Sequence, residues 1–440
     1  MTRSARPKPS GDPGTPDASA SPAAAIAVPP PTRLFNRDFV LMLQGSFVSR
    51  LGDVVYSIAI GFYVYHLTGS ASLMGVFASL SMFLNMFLGP LAGALADRID
   101  RRAAIVSVDV LRGLVMLGIG ALVLAGRLDV GSLFGFSVVA ALLGVLFNPT
   151  AGTVLIDIVP KAEFVRSRSV ASTAQTLVDL VGKAASGLLL VYVGVGELIL
   201  FNGVSFLVNA LLVAFVRIPR TPKQGTPIRV RTLLVDLREG LAAVVATKGL
   251  NMLFFSAILI NFLGSGFYNL ILVFTTEKGY PLEQYGFLMT ALSVGALLGS
   301  LLVAAVKMAP KRRPGVLFAS FLTSMAFLAA GLLLRPFAAV AAMFLLAELT
   351  SAVGNTILNA SLLLLVPSDK RATVMGFLMS SSIGGMALST VAYGFAADYF
   401  PVTAVALVGT LLSLAPLCWL LLHRDVQGAI VESSGGGSPA

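Results

Sequence analysis

Several charged residues of this chain stand where charge is costly. Arg50 and Asp53, Asp109 and Arg112, Asp179 and Lys183, and Glu348 all lie inside long apolar blocks. An ionised side chain in such surroundings costs at least about 2.5–3.5 kcal/mol. It persists when it is paired, when water in a cavity reaches it, or when a proton neutralises it. Asp53 is the most central carboxylate of its block, with Arg50 one turn earlier on the same helical face. The two either neutralise each other or serve function, Asp53 as a carboxylate that couples to a proton and Arg50 as its counter-ion or as an anion-binding group. Asp179 and Lys183 are four residues apart, acid first, the favourable order for a pair within one helix. That spacing accounts for both charges, and anion binding by Lys183 is the alternative. Glu348 has no charge within a turn. It is expected to face a cavity in a cation or proton role, or to be held protonated by burial. Asp109 and Arg112 read as structural support near one end of their block.

The elements that must position these residues follow from composition. Of 440 residues, 56% are apolar and 12% are charged, about half the charge of an average soluble domain. The apolar residues form twelve blocks, at 39–65, 72–96, 103–124, 132–156, 169–193, 197–216, 250–274, 284–306, 315–334, 337–365, 374–397 and 402–422. Each is long enough to cross a hydrocarbon core of about 30 Å. In lipid every backbone amide needs an internal partner, so the blocks are predicted helices. This excludes a soluble enzyme, a disordered chain and an outer-membrane barrel, whose strands alternate polar and apolar residues. One cysteine, Cys418, and two distant histidines, His66 and His423, exclude a Cys/His metal site, and no cofactor is expected.

The net charge of +10 is distributed as topology demands. With a cytoplasmic N-terminus, 25 Lys and Arg fall on the cytoplasmic side, three outside and three within blocks. That asymmetry predicts cytoplasmic termini and a lipid bilayer, not nucleic acid, as the partner of the basic residues. Residues 1–34, rich in Pro, Ala and Ser, are expected to be a disordered cytoplasmic tail, as are 425–440. Between them the reading gives a six-helix bundle at 35–216, a linker at 217–249 with an amphipathic helix, and a second six-helix bundle at 250–424. Short echoes support duplication. Leu51-Gly52-x-x-x-Tyr56 recurs as Leu263-Gly264-x-x-x-Tyr268, and Asn148 to Val159-Pro160 recurs as Asn355 to Val366-Pro367.

The link after the second block reads Gly93-Ala94-Leu95-Ala96-Asp97-Arg98-Ile99-Asp100-Arg101-Arg102, preceded by Gly89. Gly89 and Gly93 allow close helix approach, and the Asp97 carboxylate suits a helix N-terminus or an arginine. This stretch resembles the signature loop of the major facilitator superfamily. Asp100, Val48-Ser49-Arg50-Leu51-Gly52-Asp53 and Phe147-Asn148-Pro149-Thr150 resemble its drug-and-siderophore exporter branch, which includes macrolide-efflux and enterobactin-exporter proteins. The resemblance implies an all-α membrane protein of twelve transmembrane helices in two pseudo-symmetric bundles. It also implies a cytoplasmic gate at Gly93, Asp97, Arg98, Arg101 and Arg102, with Asp157 as a further acidic partner. Two departures stand out: the arginine many superfamily antiporters carry in the fourth span is missing, and Lys183 stands where the antiporter pattern of the fifth span has proline.

The function expected is secondary active export of amphipathic organic solutes across a bacterial cytoplasmic membrane, by a monomer using alternating access. The energy source is expected to lie outside the chain, because the sequence has no G-x-x-x-x-G-K-[ST] loop for ATP; a proton gradient is the expected driver, with Asp53 or Glu348 as carrier. The alternatives are an uncoupled facilitator or lipid flippase and, from other classes, a membrane-embedded enzyme or a sensor.

Overall fold

The computed structural model describes residues 33–96, 99–218, 242, 245, 250–306, 308–365 and 371–422. Both predicted tails, nearly all of the predicted linker helix, and Asp97 and Arg98 of the loop motif lie outside the described residues. Among the described residues the regular elements are helices. The first six are α1 (Arg37–Thr68), α2 (Ala71–Ala96), α3 (Arg101–Leu124), α4 (Val130–Ile158), α5 (Phe164–Tyr192) and α6 (Val195–Ala214). Then come α7 (Leu250–Gly264), α8 (Gly266–Glu277), α9 (Leu282–Ala305), α10 (Arg313–Leu333), α11 (Phe337–Leu365), α12 (Arg371–Ala397), α13 (Val402–Leu412) and α14 (Leu414–Leu422).

Local chemistry sets the ends. Asn36 caps α1 by accepting from the Phe39 amide at 2.8 Å, and Gly69 ends it at φ +63°, the left-handed conformation glycine adopts without cost. Asp100 and Asp129 cap α3 and α4 through the Ala103 and Ser132 amides. Asp100 of the loop motif is thus a helix cap. The seventh span breaks between α7 and α8 at Ser265. The twelfth breaks at Ser413, where Pro416 has no amide proton for the Leu412 carbonyl.

Among the described residues eleven spans are long and apolar enough to cross a membrane. The twelfth predicted crossing, α12, is 27 residues long, and Ser380, Ser381, Ser382, Ser389 and Thr390 dilute its apolar character. Leu114, Phe201, Leu211, Leu301, Leu322 and Leu411 are exposed on the outer surface, as a lipid-facing surface requires. In the first bundle α6 packs on α1 and α3, and α2 on α4. In the second, α11 packs on α9 and α10. The bundles meet chiefly through α2 against α12 and α5 against α9.

One face of the molecule carries the start of α1, the end of α6, the start of α7 and the end of α14; we call it the terminal face. The bundles touch at the opposite face. There a Cβ on Gly187 of α5 would lie 2.6 Å from the backbone of Gly286 in α9, so these helices cross backbone to backbone. Beside them Asp398, at the end of α12, caps α2 of the other bundle. Its carboxylate accepts from the Ala71 amide at 2.6 Å, the Ser72 amide at 3.2 Å and the Ser70 hydroxyl at 3.0 Å.

Burial pushes the Asp398 carboxyl up, but the Ser72 and Ser70 hydroxyls and the two amides outweigh it and hold the group below the usual carboxylate range. A lowered group stabilises its contact above the ordinary carboxylate pKa and loses it as pH falls through the lowered value. The cap is therefore intact at neutral pH and fails only in acid. Asp398→Asn should weaken the seal by about 0.5–2 kcal/mol. In a Cys418→Ser background carrying Met74→Cys, a membrane-impermeant thiol reagent applied to the opposite face should label faster. Unchanged labelling would show that the cap does not hold the bundles together.

Candidate functional site

Between the bundles lies a cavity of about 1090 Å³. It runs from mid-membrane to the terminal face, where Phe39, Met42 and Arg168 line it, and it ends near Tyr56, Met74 and Tyr285 below the seal. Its walls come from α1 to α5 of one bundle and α8, α9 and α11 of the other. At a rise of about 1.5 Å per residue, Asp53 stands about 24 Å into α1, well inside the hydrocarbon layer.

The charged residues meet in this cavity, but not in the pairs their spacing suggests. Arg50 does not neutralise Asp53 on its own helix. Its guanidinium grips Asp179 of α5 with two parallel bonds, Nε to Oδ1 at 2.7 Å and Nη2 to Oδ2 at 2.8 Å. This fork-to-carboxylate geometry is the strongest such pairing. Asp53 instead lies 3.3 Å from Nη2 of Arg112 on α3. Arg112 is not near a helix end. It is the middle of α3, with its guanidinium 3.9 Å from the centroid of the Phe206 ring and 5.9 Å from that of Phe147, a cation–π setting that stabilises the charge away from water. The predicted Asp179–Lys183 pair is also replaced. Lys183 is exposed in the cavity, and no carboxylate lies within ion-pair distance among the described residues. An intrahelical pair is worth only about 0.3–0.5 kcal/mol, so a bidentate bond across two helices wins.

Across the cavity, Glu348 of α11 accepts from the Tyr268 hydroxyl of α8 at 2.5 Å, and both line the wall. Lys183 is close enough for its charge to act on Glu348. Tyr268 is the tyrosine of the second L-G-x-x-x-Y copy, so the repeat carried a signal for this partner. Ser265, between α7 and α8, keeps a helical backbone, and Tyr268 three residues on reaches Glu348. Polar lining comes from Asn85, Gln175 and Asn269, and Met82 adds a flexible apolar surface.

Near the terminal face, Arg101 at the start of α3 bonds Asp157 at the end of α4 at 2.5 Å, and Arg102 donates to the Ala214 carbonyl at the end of α6. These contacts lie within one bundle. Gly93 belongs to α2. The Asp109 and Arg112 expected to support the loop lie deeper: Asp109 is wholly buried and accepts from Asn209 of α6 at 2.6 Å.

Two helical bundles that clasp a charged cavity at membrane depth are the architecture of a multi-pass membrane transporter. Among the described residues no group of His, Cys, Asp and Glu is arranged to hold a metal ion. The chain belongs to the Major Facilitator Superfamily, whose family model matches residues 42–377 and 254–439. It is 24% identical over 310 residues to the uncharacterized MFS-type transporter YkuC of Bacillus subtilis strain 168, covering 68% of this chain and 70% of that one. It is 31% identical over 206 residues to the putative bacilysin exporter BacE of Bacillus amyloliquefaciens, covering 46% of this chain and 50% of BacE. The match thus spans about half the length of that exporter. Among solved structures, a bacterial homologue of the human lysosomal transporter Spinster superposes with a TM-score of 0.66 at 15% identity, covering 91% of this chain and 98% of that one. At that identity the likeness concerns the fold alone.

Proposed function

We propose that the protein exports amphipathic organic solutes across a bacterial cytoplasmic membrane by proton-coupled alternating access. The observation that carries this reading is the cavity of about 1090 Å³, charged at mid-membrane, open at the terminal face and sealed at the other. The excess of basic residues favours a cytoplasmic terminal face, and on that reading this conformation receives cargo from inside. The likeness to a putative bacilysin exporter favours the outward direction.

Within this reading the bundles rock about the α2–α12 and α5–α9 contacts and open the cavity to the other side. Asp53 and Glu348 are the carboxylates that protons and cationic cargo reach from the cavity. Lys183 and the outer edge of Arg50 meet anionic groups, while Arg50–Asp179 ties α1 to α5. The loop from Gly93 through Asp97, Arg98, Arg101 and Arg102, with Asp157, closes the cytoplasmic end when the opposite face opens. The cargo is a small molecule, and the working unit is a monomer.

The test is a substrate panel of cationic, anionic and neutral amphipathic compounds in inverted membrane vesicles, with and without a pH gradient. Accumulation of a subset only when the gradient is imposed is the expected result. Equal transport after the gradient is collapsed would replace this reading with that of an uncoupled facilitator or lipid flippase.

A further inference from the structure

The mechanism above uses the carboxylates that face the cavity and leaves one aside. Asp109 sits in the middle layer of the first bundle with no exposed surface. Its Oδ2 accepts from the Asn209 Nδ2 at 2.6 Å. Its Oδ1 is buried with no hydrogen-bond partner, and so is the Asn209 Oδ1. Two acceptor oxygens without donors thus belong to the two side chains that already share one bond. Buried acceptors left in this way are costly.

A single proton on this pair would supply the donor that is missing. Placed on Asp109 Oδ1, it makes the carboxyl a donor to Asn209 Oδ1 while the Asn209 amide still donates to Oδ2. The result is a closed acid–amide pair. Exchanging the amide oxygen and nitrogen of Asn209 does not remove the need. The 2.6 Å contact would then join two oxygens and would itself require a proton.

The charges around the pair lead to the same result. The groups whose charges act on Asp109 are Arg112 on its own helix and Asp53 on α1, and Asn209 is the polar group facing it from α6. Arg112 already neutralises Asp53. Two carboxylates therefore share one arginine, and a second negative charge at a site with no exposure is strongly unfavourable. Little space is left around the pair, and Arg112 Nε is a buried donor that also has no partner. On the α1 side Asn209 Oδ1 is pressed against Gly45, where an added Cβ would come within 2.2 Å. The small neighbouring void of about 10 Å³ is lined by Asn209 and Ser46 but not by Asp109.

We propose that Asp109 and Asn209 form a proton-holding site inside the first bundle, with the proton on Asp109 while the transporter is open at the terminal face. This rests on the proton-coupled reading and deepens it. Arg112 can serve either carboxylate, so Asp53 and Asp109 together hold one proton, and the cavity-facing Asp53 connects the buried site to water. Asp109 does not touch cargo.

The experiment is infrared spectroscopy of the purified full chain at neutral pH, paired with transport in proteoliposomes. The wild type should show the C=O band of a protonated carboxyl, shifted by carbon-13 labelling of aspartate and absent from Asp109→Asn. That variant keeps the acid–amide geometry with an uncharged amide. It should retain exchange of labelled for unlabelled cargo and lose accumulation driven by a pH gradient. If Asp109→Asn does not accumulate in the membrane, Asn209→Ala in its place should shift the band by removing its acceptor. A band unchanged by both substitutions, or undiminished gradient-driven accumulation in Asp109→Asn, would overturn the proposal. So would transport driven by sodium without an acid band. A wild type indifferent to the pH gradient would overturn the coupling reading instead, and the infrared band would still decide whether Asp109 carries a proton.

Discussion

Asp53→Asn is expected to abolish uphill export while leaving the protein in the membrane. The carboxylate is 32% exposed, toward the cavity, and its partner Arg112 only 14%, so a proton reaches Asp53 from water and the arginine keeps its charge. Protonation of Asp53 removes the one ionic contact of Arg112 among the described residues, and asparagine imitates that state permanently. A cycle that needs both states of the carboxylate then stops. The lone Arg112 also costs stability. Removing one member of a fully buried pair costs about 3–5 kcal/mol, and the partial exposure of Asp53 reduces this to the lower end or below. Arg112→Gln added to Asp53→Asn should therefore raise protein yield above that of the single variant without restoring transport. The measurement is gradient-driven accumulation in inverted vesicles at matched protein levels. Full activity of Asp53→Asn would remove this residue from the coupling mechanism.

Gly286→Val should be nearly as damaging, for a steric reason. A Cβ there would lie 2.9 Å from the Gly187 backbone. Backbone cannot swing aside as a flexible side chain does, so α5 and α9 must separate. Overpacking of this kind costs about 1–3 kcal/mol, and only the conformation sealed at the opposite face bears it. A bias of that size shifts the balance between the two open states by about 5- to 150-fold. Turnover should fall while equilibrium binding of cargo persists, and Met74→Cys should label more readily from the opposite face. Normal turnover would show that the α5–α9 crossing is not part of the seal.

The two variants separate the chemistry of the site from the motion of the bundles, and the sequence spoke differently to each. Apolar blocks of membrane length dictate helices because lipid offers no partner for a free amide. The membrane-length helical spans were therefore legible before any tertiary contact was known, though the breaks at Ser265 and Ser413 were not. The loop around Asp97 and Asp100 pointed to the family through its residue types. The charged residues inside the blocks were legible as candidates because burial without compensation is costly.

Their partners were not legible. Spacing within one helix sees only neighbours three and four residues away, and it suggested Arg50 with Asp53 and Asp179 with Lys183. The fold brought Asp179 to Arg50 and Arg112 to Asp53, because α1 is flanked by α5 and packed with α3 around α6. Side chains on different helices meet in geometries that one helix cannot offer, such as the two-bond fork of Arg50 on Asp179. The seal made by Gly187, Gly286 and Asp398 was invisible for the same reason. Residue type and spacing determined which groups must be neutralised. Only packing among helices far apart in sequence decided what neutralises them, which face is closed, and that Asp109 is left with an oxygen that one proton would satisfy.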